Sequence, residues 1–244
     1  MYIENPKTKG SGIISCIPQT GTCPMKCSDC FFQSGRSYLE PLSKNLPNMP
    51  TPEQAKNMVV RVNDGNDSCN KWKIVKAGTK KYPMKFYNTS YRRAYDKYFD
   101  GQPFVLTVNP GRDTDKVFYQ LAPKVPKNIM FVRVRTNMWN LDLVEDAVAA
   151  YSKMKVPIVL TFMRYYKDEV PKKFKKYYTF KKKIINSYWL LNEKGWKKVR
   201  KRIIDKNDLV YTCGTEGDNA KFLCRDCGNC LREYFATVER IKMK

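Results

Sequence analysis

The sequence predicts an α/β fold built on a parallel sheet. Short β-branched or aromatic runs alternate with segments of helical periodicity, and that order demands crossover connections and parallel neighbours. The chain has 244 residues, 42% of them hydrophobic and 13% aromatic, enough for a real core in one large α/β domain or two small ones. Seven of its nine cysteines fall in two clusters, which marks where chemistry should sit.

Taken in order, residues 11–17 (SGIISCI) form a short apolar run suited to a buried strand. Residues 51–62 (TPEQAKNMVVRV) read as a helix, with Thr51 as N-cap, Pro52 at the first helical position and Glu53 in the first turn. NDGND, from Asn63, is a turn. Strands are expected over 84–90 (MKFYNTS), 103–111 (PFVLTVNPG), 129–137 (IMFVRVRTN) and 156–163 (VPIVLTFM). Helical patterns follow the first three of these, over 90–99, 113–121 and 140–154. In the last, Asn140 is the cap and Leu141, Val144, Val148 and Tyr151 make the apolar stripe. Residues 192–203 form a basic helix and 208–213 a final strand, for about six strands in all. Functional groups in such sheets gather at the carboxyl ends of the strands. The cysteine loop and the stretches NTS, NPGRD and RTN all lie there.

Lys and Arg total 46 against 23 Asp and Glu, a formal net charge of +23. Such a field favours a polyanion, chiefly nucleic acid, or an anionic membrane surface, and a merely basic, soluble enzyme is the alternative. There is no histidine, which excludes His-based triads, His general bases and Cys2His2 zinc sites. No apolar run is long enough to cross a membrane, and MYIENPKTKGSG has no apolar stretch of a secretory signal, so a cytoplasmic protein without a membrane partner is expected. Clustered thiols in that setting read as metal ligands rather than disulfides. Cys16 and Cys69 stand apart and read as buried, inert thiols.

The first cluster is Cys23-Pro-Met-Lys-Cys27-Ser-Asp-Cys30, a C-x3-C-x2-C loop after the first strand. Three thiolates on one cubane leave one iron open for chemistry, whereas zinc would need a fourth ligand from elsewhere. Motif and position resemble the radical S-adenosylmethionine superfamily. The resemblance implies a four-iron–four-sulfur cluster on Cys23, Cys27 and Cys30 whose unique iron chelates S-adenosylmethionine. It also implies reductive cleavage to a 5′-deoxyadenosyl radical, an electron-donor protein as partner, and a full or partial parallel barrel, commonly of six strands. Family members usually carry an aromatic residue just before the third Cys, near the adenine; here Asp29 stands there, with Phe31 and Phe32 following. The family's Gly-Gly-Glu stretch is absent, and by position Asn88, Thr89 and Ser90 replace it, able to bond the methionine amine or carboxylate. The same three residues also read as the cap of the helix from Tyr91. Asn109 and Arg112, and Arg133, Arg135 and Asn137, are further candidates for carboxylate or ribose contacts, although Asn-Pro-Gly also reads as a plain turn.

The second cluster sets Cys213 ahead of Cys224, Cys227 and Cys230. A C-x2-C-x2-C run with one remote Cys suits a second four-iron cluster, with structural zinc as the alternative. Residues 167–206 hold 15 Lys or Arg against 4 Asp or Glu, with Phe174, Tyr177, Tyr178, Phe180, Tyr188, Trp189 and Trp196 interleaved. That pattern suits single-stranded nucleic acid, and equally a solvated basic face with aromatics in the core. The domain expectation is a partial β/α barrel over 1–212 and a cysteine-rich metal-binding extension over 213–244. The functional expectation is a radical S-adenosylmethionine enzyme modifying nucleic acid, a nucleotide or another polyanion. The alternatives are a peptide or protein substrate, or a non-catalytic nucleic-acid-binding protein with structural zinc.

Overall fold

The computed structural model of the chain describes residues 1–25, 27, 30, 32, 37–90, 98–111, 126–166, 169–184, 186–214 and 223–243. In chain order the elements are β1 (Ile13–Cys16), β2 (Val59–Val62), α1 (Trp72–Thr79), β3 (Lys85–Thr89), β4 (Phe104–Val108) and β5 (Ile129–Thr136). Then come α2 (Leu141–Lys153), β6 (Ile158–Phe162), β7 (Tyr165–Tyr166), β8 (Tyr178–Lys181), β9 (Tyr188–Leu191), α3 (Glu193–Arg202) and β10 (Val210–Thr212). Two helices close the chain, α4 (Cys224–Cys227) and α5 (Asn229–Lys242).

Among the described residues, seven strands form one sheet in the order β1-β2-β3-β4-β5-β6-β10, with parallel pairing in the registers β1–β2, β2–β3, β3–β4, β5–β6 and β6–β10. The α/β class and the parallel sheet agree with the sequence. The count is one higher than expected, and β1 and β10 end the sheet among the described residues, so it is not a closed barrel. The added strand is β2, which lies inside the stretch read as a helix. The stretch opens as a turn and not as a helix: Gln54 N–H donates to Thr51 Oγ1 (3.2 Å) and Thr51 N–H donates to Gln54 Oε1 (2.9 Å), the reciprocal bonds of a capping box with no helix after them. The turn ends when Asn57 takes a left-handed φ of 61°, and the β-branched run Val59-Val60-Arg61-Val62 then pairs with β1 and β3. The helix over 113–121 and most of that over 90–99 lie outside the described residues.

The chain folds as two compact units, the first made of Met1–Thr107, Pro123–Phe131 and Leu223–Lys244, the second of Val108–Ala122 and Val132–Phe222. In the first unit neighbouring residues of each strand face opposite sides. Tyr87 faces α1, where Trp72 meets it edge-on at 5.2 Å and Phe99 stacks on it at 5.4 Å. Ser15, Arg61 and Phe86 lie in one register row on the other side. There α5 covers the sheet, with Tyr234 and Phe86 ring centres 6.4 Å apart. Arg240 holds the end of α5 by donating to the carbonyls of Lys127 (2.9 Å) and Ile129.

In the second unit α2 buries the predicted stripe of Leu141, Val144, Val148 and Tyr151, with Ala147. Asn140 precedes the helix but does not cap it; its side chain accepts from Asn137 N–H (2.8 Å) and donates to Pro110 O and Arg135 O (both 3.0 Å). Asn192 does cap α3, accepting from Gly195 N–H at 3.0 Å. Gly195 is required there, because a Cβ would lie 2.4 Å from Leu191 Cδ1 and 2.8 Å from Tyr177 O. Arg202 ties α3 to α2 through Asp142 (2.6 Å) and Glu145. An antiparallel sheet, β7-β9-β8, completes this unit.

Candidate metal centre

The cysteine loop leaves β1 along a fixed path in the first unit. Ile17 and Asn48 exchange backbone hydrogen bonds of 2.8 and 2.9 Å, and the buried Asn48 side chain pairs in turn with the backbone of Ile3. Gln19 donates to the carbonyls of Asp67 and Asn70 (both 2.8 Å), Lys71 to Thr20 O (3.2 Å) and Asn66 to Gly21 O (3.2 Å). Beyond the cysteines, Phe32 packs against Ile17, Leu39 and Leu46. Gly65 sits under it so closely that a Cβ would fall 2.8 Å from the Phe32 ring and 2.7 Å from Ile17 Cδ1. The turn after β2 thus holds the loop on both sides of its thiols.

All nine cysteines are described, and none is in a disulfide. Cys23, Cys27 and Cys30 are half-buried, and Cys30 N–H donates to Cys27 O at 3.1 Å. Burial pushes the Cys23 thiol up to about 11, with smaller contributions from Asp67, Cys27 and Cys30, each of which would oppose its ionisation. By residue type three cysteines suit a thiolate-bound metal cluster. Among the described residues no group of three or more Cys, Asp or Glu side chains is already arranged to hold a metal ion.

Asn88, Thr89 and Ser90 come to the same end of the sheet, around Asp67. The buried Asp67 carboxylate accepts from Ser90 N–H (2.6 Å), Ser90 Oγ (3.3 Å), Thr89 Oγ1 (2.9 Å) and Cys69 N–H (2.8 Å). Asn88 Nδ2 donates to Val62 O at 3.0 Å. Asp29 and Phe31 lie outside the described residues, as does Arg112. In the second unit, Asn109 is buried beyond β4, and its Oδ1 has no hydrogen-bond partner among the described residues. Arg135 on β5 lies in register with Thr161 of β6 and donates to Met163 Sδ (3.4 Å). Asn137 shapes the turn before α2, accepting from Trp139 N–H at 3.0 Å.

The second cysteine group divides between the units. Cys213 belongs to the second, where its N–H donates to Leu160 O at 2.8 Å. Cys224, Cys227 and Cys230 belong to the first, on α4 and the start of α5, with Gly228 at a left-handed φ of 68° between the two helices. Cys224 N–H donates to Lys7 O at 2.8 Å. Beneath them Arg61 is only 8% exposed and directs Nη1 at Cys224 Sγ, 3.8 Å away. Its Nη2 pairs with Asp64, whose carboxylate also accepts from Ser15 Oγ (2.9 Å) and the Asn5 amide. Burial alone would lower the Arg61 pKa; Asp64 first, then Cys224 and Cys230, hold it well above its ordinary value.

Asp67, Asp64 and Arg61 are the site residues that sequence reasoning missed. Arg61 had one local signal, a lone cation inside an otherwise apolar β-branched run. In the basic tract the aromatics divide. Trp196 and Tyr178 are buried, Trp196 against Phe162 at 4.5 Å, while Phe180 is 46% exposed and lies 5.0 Å from Trp189. Lys175 sits over the Trp189 ring and Arg164 over Tyr188. No family model, no curated protein and no solved structure matches the chain. No helix among the described residues is long and apolar enough to cross a membrane.

Proposed function

We propose that this protein is a radical S-adenosylmethionine enzyme, cytoplasmic, acting on nucleic acid, a nucleotide or another polyanion. Its catalytic four-iron–four-sulfur cluster is held by Cys23, Cys27 and Cys30, and its open parallel sheet is the partial barrel of that superfamily. The observation that supports this reading is the Cys23-x3-Cys27-x2-Cys30 motif on a loop pinned at both ends, beyond β1. When bound, such a cluster supplies the electron that cleaves the sulfonium of S-adenosylmethionine, itself received from a donor protein.

The chain's own residues orient and select. Gln19, Asn66 and Lys71 fix the loop, and the negative charge of Asp67 suits a cationic sulfonium and ammonium nearby. Thr89 and Ser90 act through Asp67, holding its carboxylate in place. Arg135 on β5 and Thr161 on β6, with Asn109 just beyond β4, offer polar groups in the second unit. The outward aromatic and cationic residues of β8, β9 and their neighbours favour nucleic acid as substrate, since phosphate neutralisation and base stacking need both. A second metal centre, a four-iron cluster or zinc, belongs to Cys224, Cys227 and Cys230.

Anaerobic reconstitution with iron and sulfide tests the reading. The expected product is brown, loses the N-terminal cluster in Cys27→Ser, and forms 5′-deoxyadenosine from S-adenosylmethionine on reduction. Zinc alone, with no chromophore, would identify a non-catalytic protein instead. Cleavage without salt-dependent binding of RNA or DNA would move the substrate to a peptide or protein.

A further inference from the structure

The side of the sheet under α4 and α5 holds a cation where an apolar residue would be ordinary. Arg61 shares a register row with Ser15 and Phe86, and α5 covers that row. A guanidinium so enclosed needs compensation for its lost hydration. Asp64 takes Nη2, and Nη1 reaches the Cys224 sulfur at 3.8 Å. The third nitrogen, Nε, is buried with no hydrogen-bond partner among the described residues. Asp64 accepts in turn from Ser15 and Asn5. The unfilled capacity is on a guanidinium whose Nη1 reaches sulfur.

A neutral thiol is a weak acceptor and a poor reason to bury a cation. Thiolates bound to a metal are different: a four-iron cluster or a zinc ion with several cysteinate ligands carries net negative charge. Hydrogen bonds and cations beside the sulfurs then set its affinity and potential. We propose that Arg61 is the counter-cation of the metal centre at Cys224, Cys227 and Cys230, donating to the ligand sulfurs. The inference rests on the metal reading of these three cysteines and adds a residue from a distant strand to it. Arg61 acts through the sulfurs, so it is a positioning residue.

The test uses the full chain with Cys23, Cys27 and Cys30 replaced by Ser, so that one centre answers, and cobalt(II) as the probe, read by sulfur-to-cobalt absorption. Arg61→Gln should weaken cobalt binding about ten- to a hundredfold, as loss of an outer-shell partner does. Arg61→Lys should recover most of the loss. Asp64→Asn should not weaken binding, because it leaves the cation to the sulfurs. In the iron–sulfur form, Arg61→Gln should lower the midpoint potential, since the cation stabilises the more negative reduced state. Unchanged affinity in Arg61→Gln would overturn the proposal. Equal weakening in Arg61→Gln and Asp64→Asn would also overturn it, by making the ion pair merely structural. If Arg61→Gln does not fold, the Arg61→Lys and Asp64→Asn arms decide alone: tight cobalt binding in both supports the proposal, and a tenfold or greater loss in Asp64→Asn overturns it. Absence of cobalt binding before any change at Arg61 would remove the metal reading of these cysteines as well, leaving 5′-deoxyadenosine formation at the N-terminal loop a separate question.

Discussion

Asp67 gathers four donors from three residues onto one buried carboxylate, joining the turn after β2 to the end of β3. Replacing it by Ala leaves two backbone N–H groups and the Thr89 hydroxyl without their acceptor. Asp67→Ala should therefore cost about 2–4 kcal/mol in urea unfolding, and Asp67→Asn less, since one acceptor oxygen remains. The cysteines were legible because their signal is local: spacing, Gly and Pro all lie within one loop. Asp67 was not, because NDGND reads as a turn and its burial depends on β3 arriving beside it. Cys16 was read correctly as a buried thiol, and burial pushes it up to about 12 from 9.0. An unfolded chain would ionise it first, so its stabilising effect is full below 9.0 and is lost as pH rises toward about 12. Stability measured by urea at pH about 8 and about 10.5 should fall, and fall less steeply in Cys16→Ala.

At the scale of elements, six of the seven strands of the main sheet were readable from apolar, β-branched runs that are buried on both faces. β2 was hidden because a sound helix-start signal precedes it, and the left-handed Asn57 that ends the turn leaves no strong mark in sequence. The antiparallel β7-β9-β8 sheet was hidden for another reason: its Lys and Tyr repeats look the same as a solvated tract, and nothing in them separates the buried Tyr178 from the exposed Phe180 of the same strand. Phe180→Ala should reduce affinity for single-stranded RNA or DNA by about 1–3 kcal/mol per lost stack, with no change in melting temperature. Unchanged binding in filter assays would assign the exposed rings to some other role.

For the whole molecule, the charge of +23 is the broadest constraint and the least specific one. It is expressed as a salt dependence: log affinity for nucleic acid should fall linearly and steeply with log salt concentration, which filter binding over a salt series measures. A flat dependence would leave the charge as a property of a basic enzyme with another substrate. The order of strands and helices gave the α/β class and the parallel sheet, because alternation leaves few topologies. The chain's division into two units and the return of residues 223–244 to the first were not legible, since nothing in CRDCGNC says which strands it will meet. The proposed chemistry rests on Cys23, Cys27 and Cys30. The most direct measurement is chromatography of the anaerobically reconstituted, reduced protein after incubation with S-adenosylmethionine. The expected product is 5′-deoxyadenosine, absent in Cys27→Ser; a fully iron-loaded protein that leaves S-adenosylmethionine intact would rule out the proposed function.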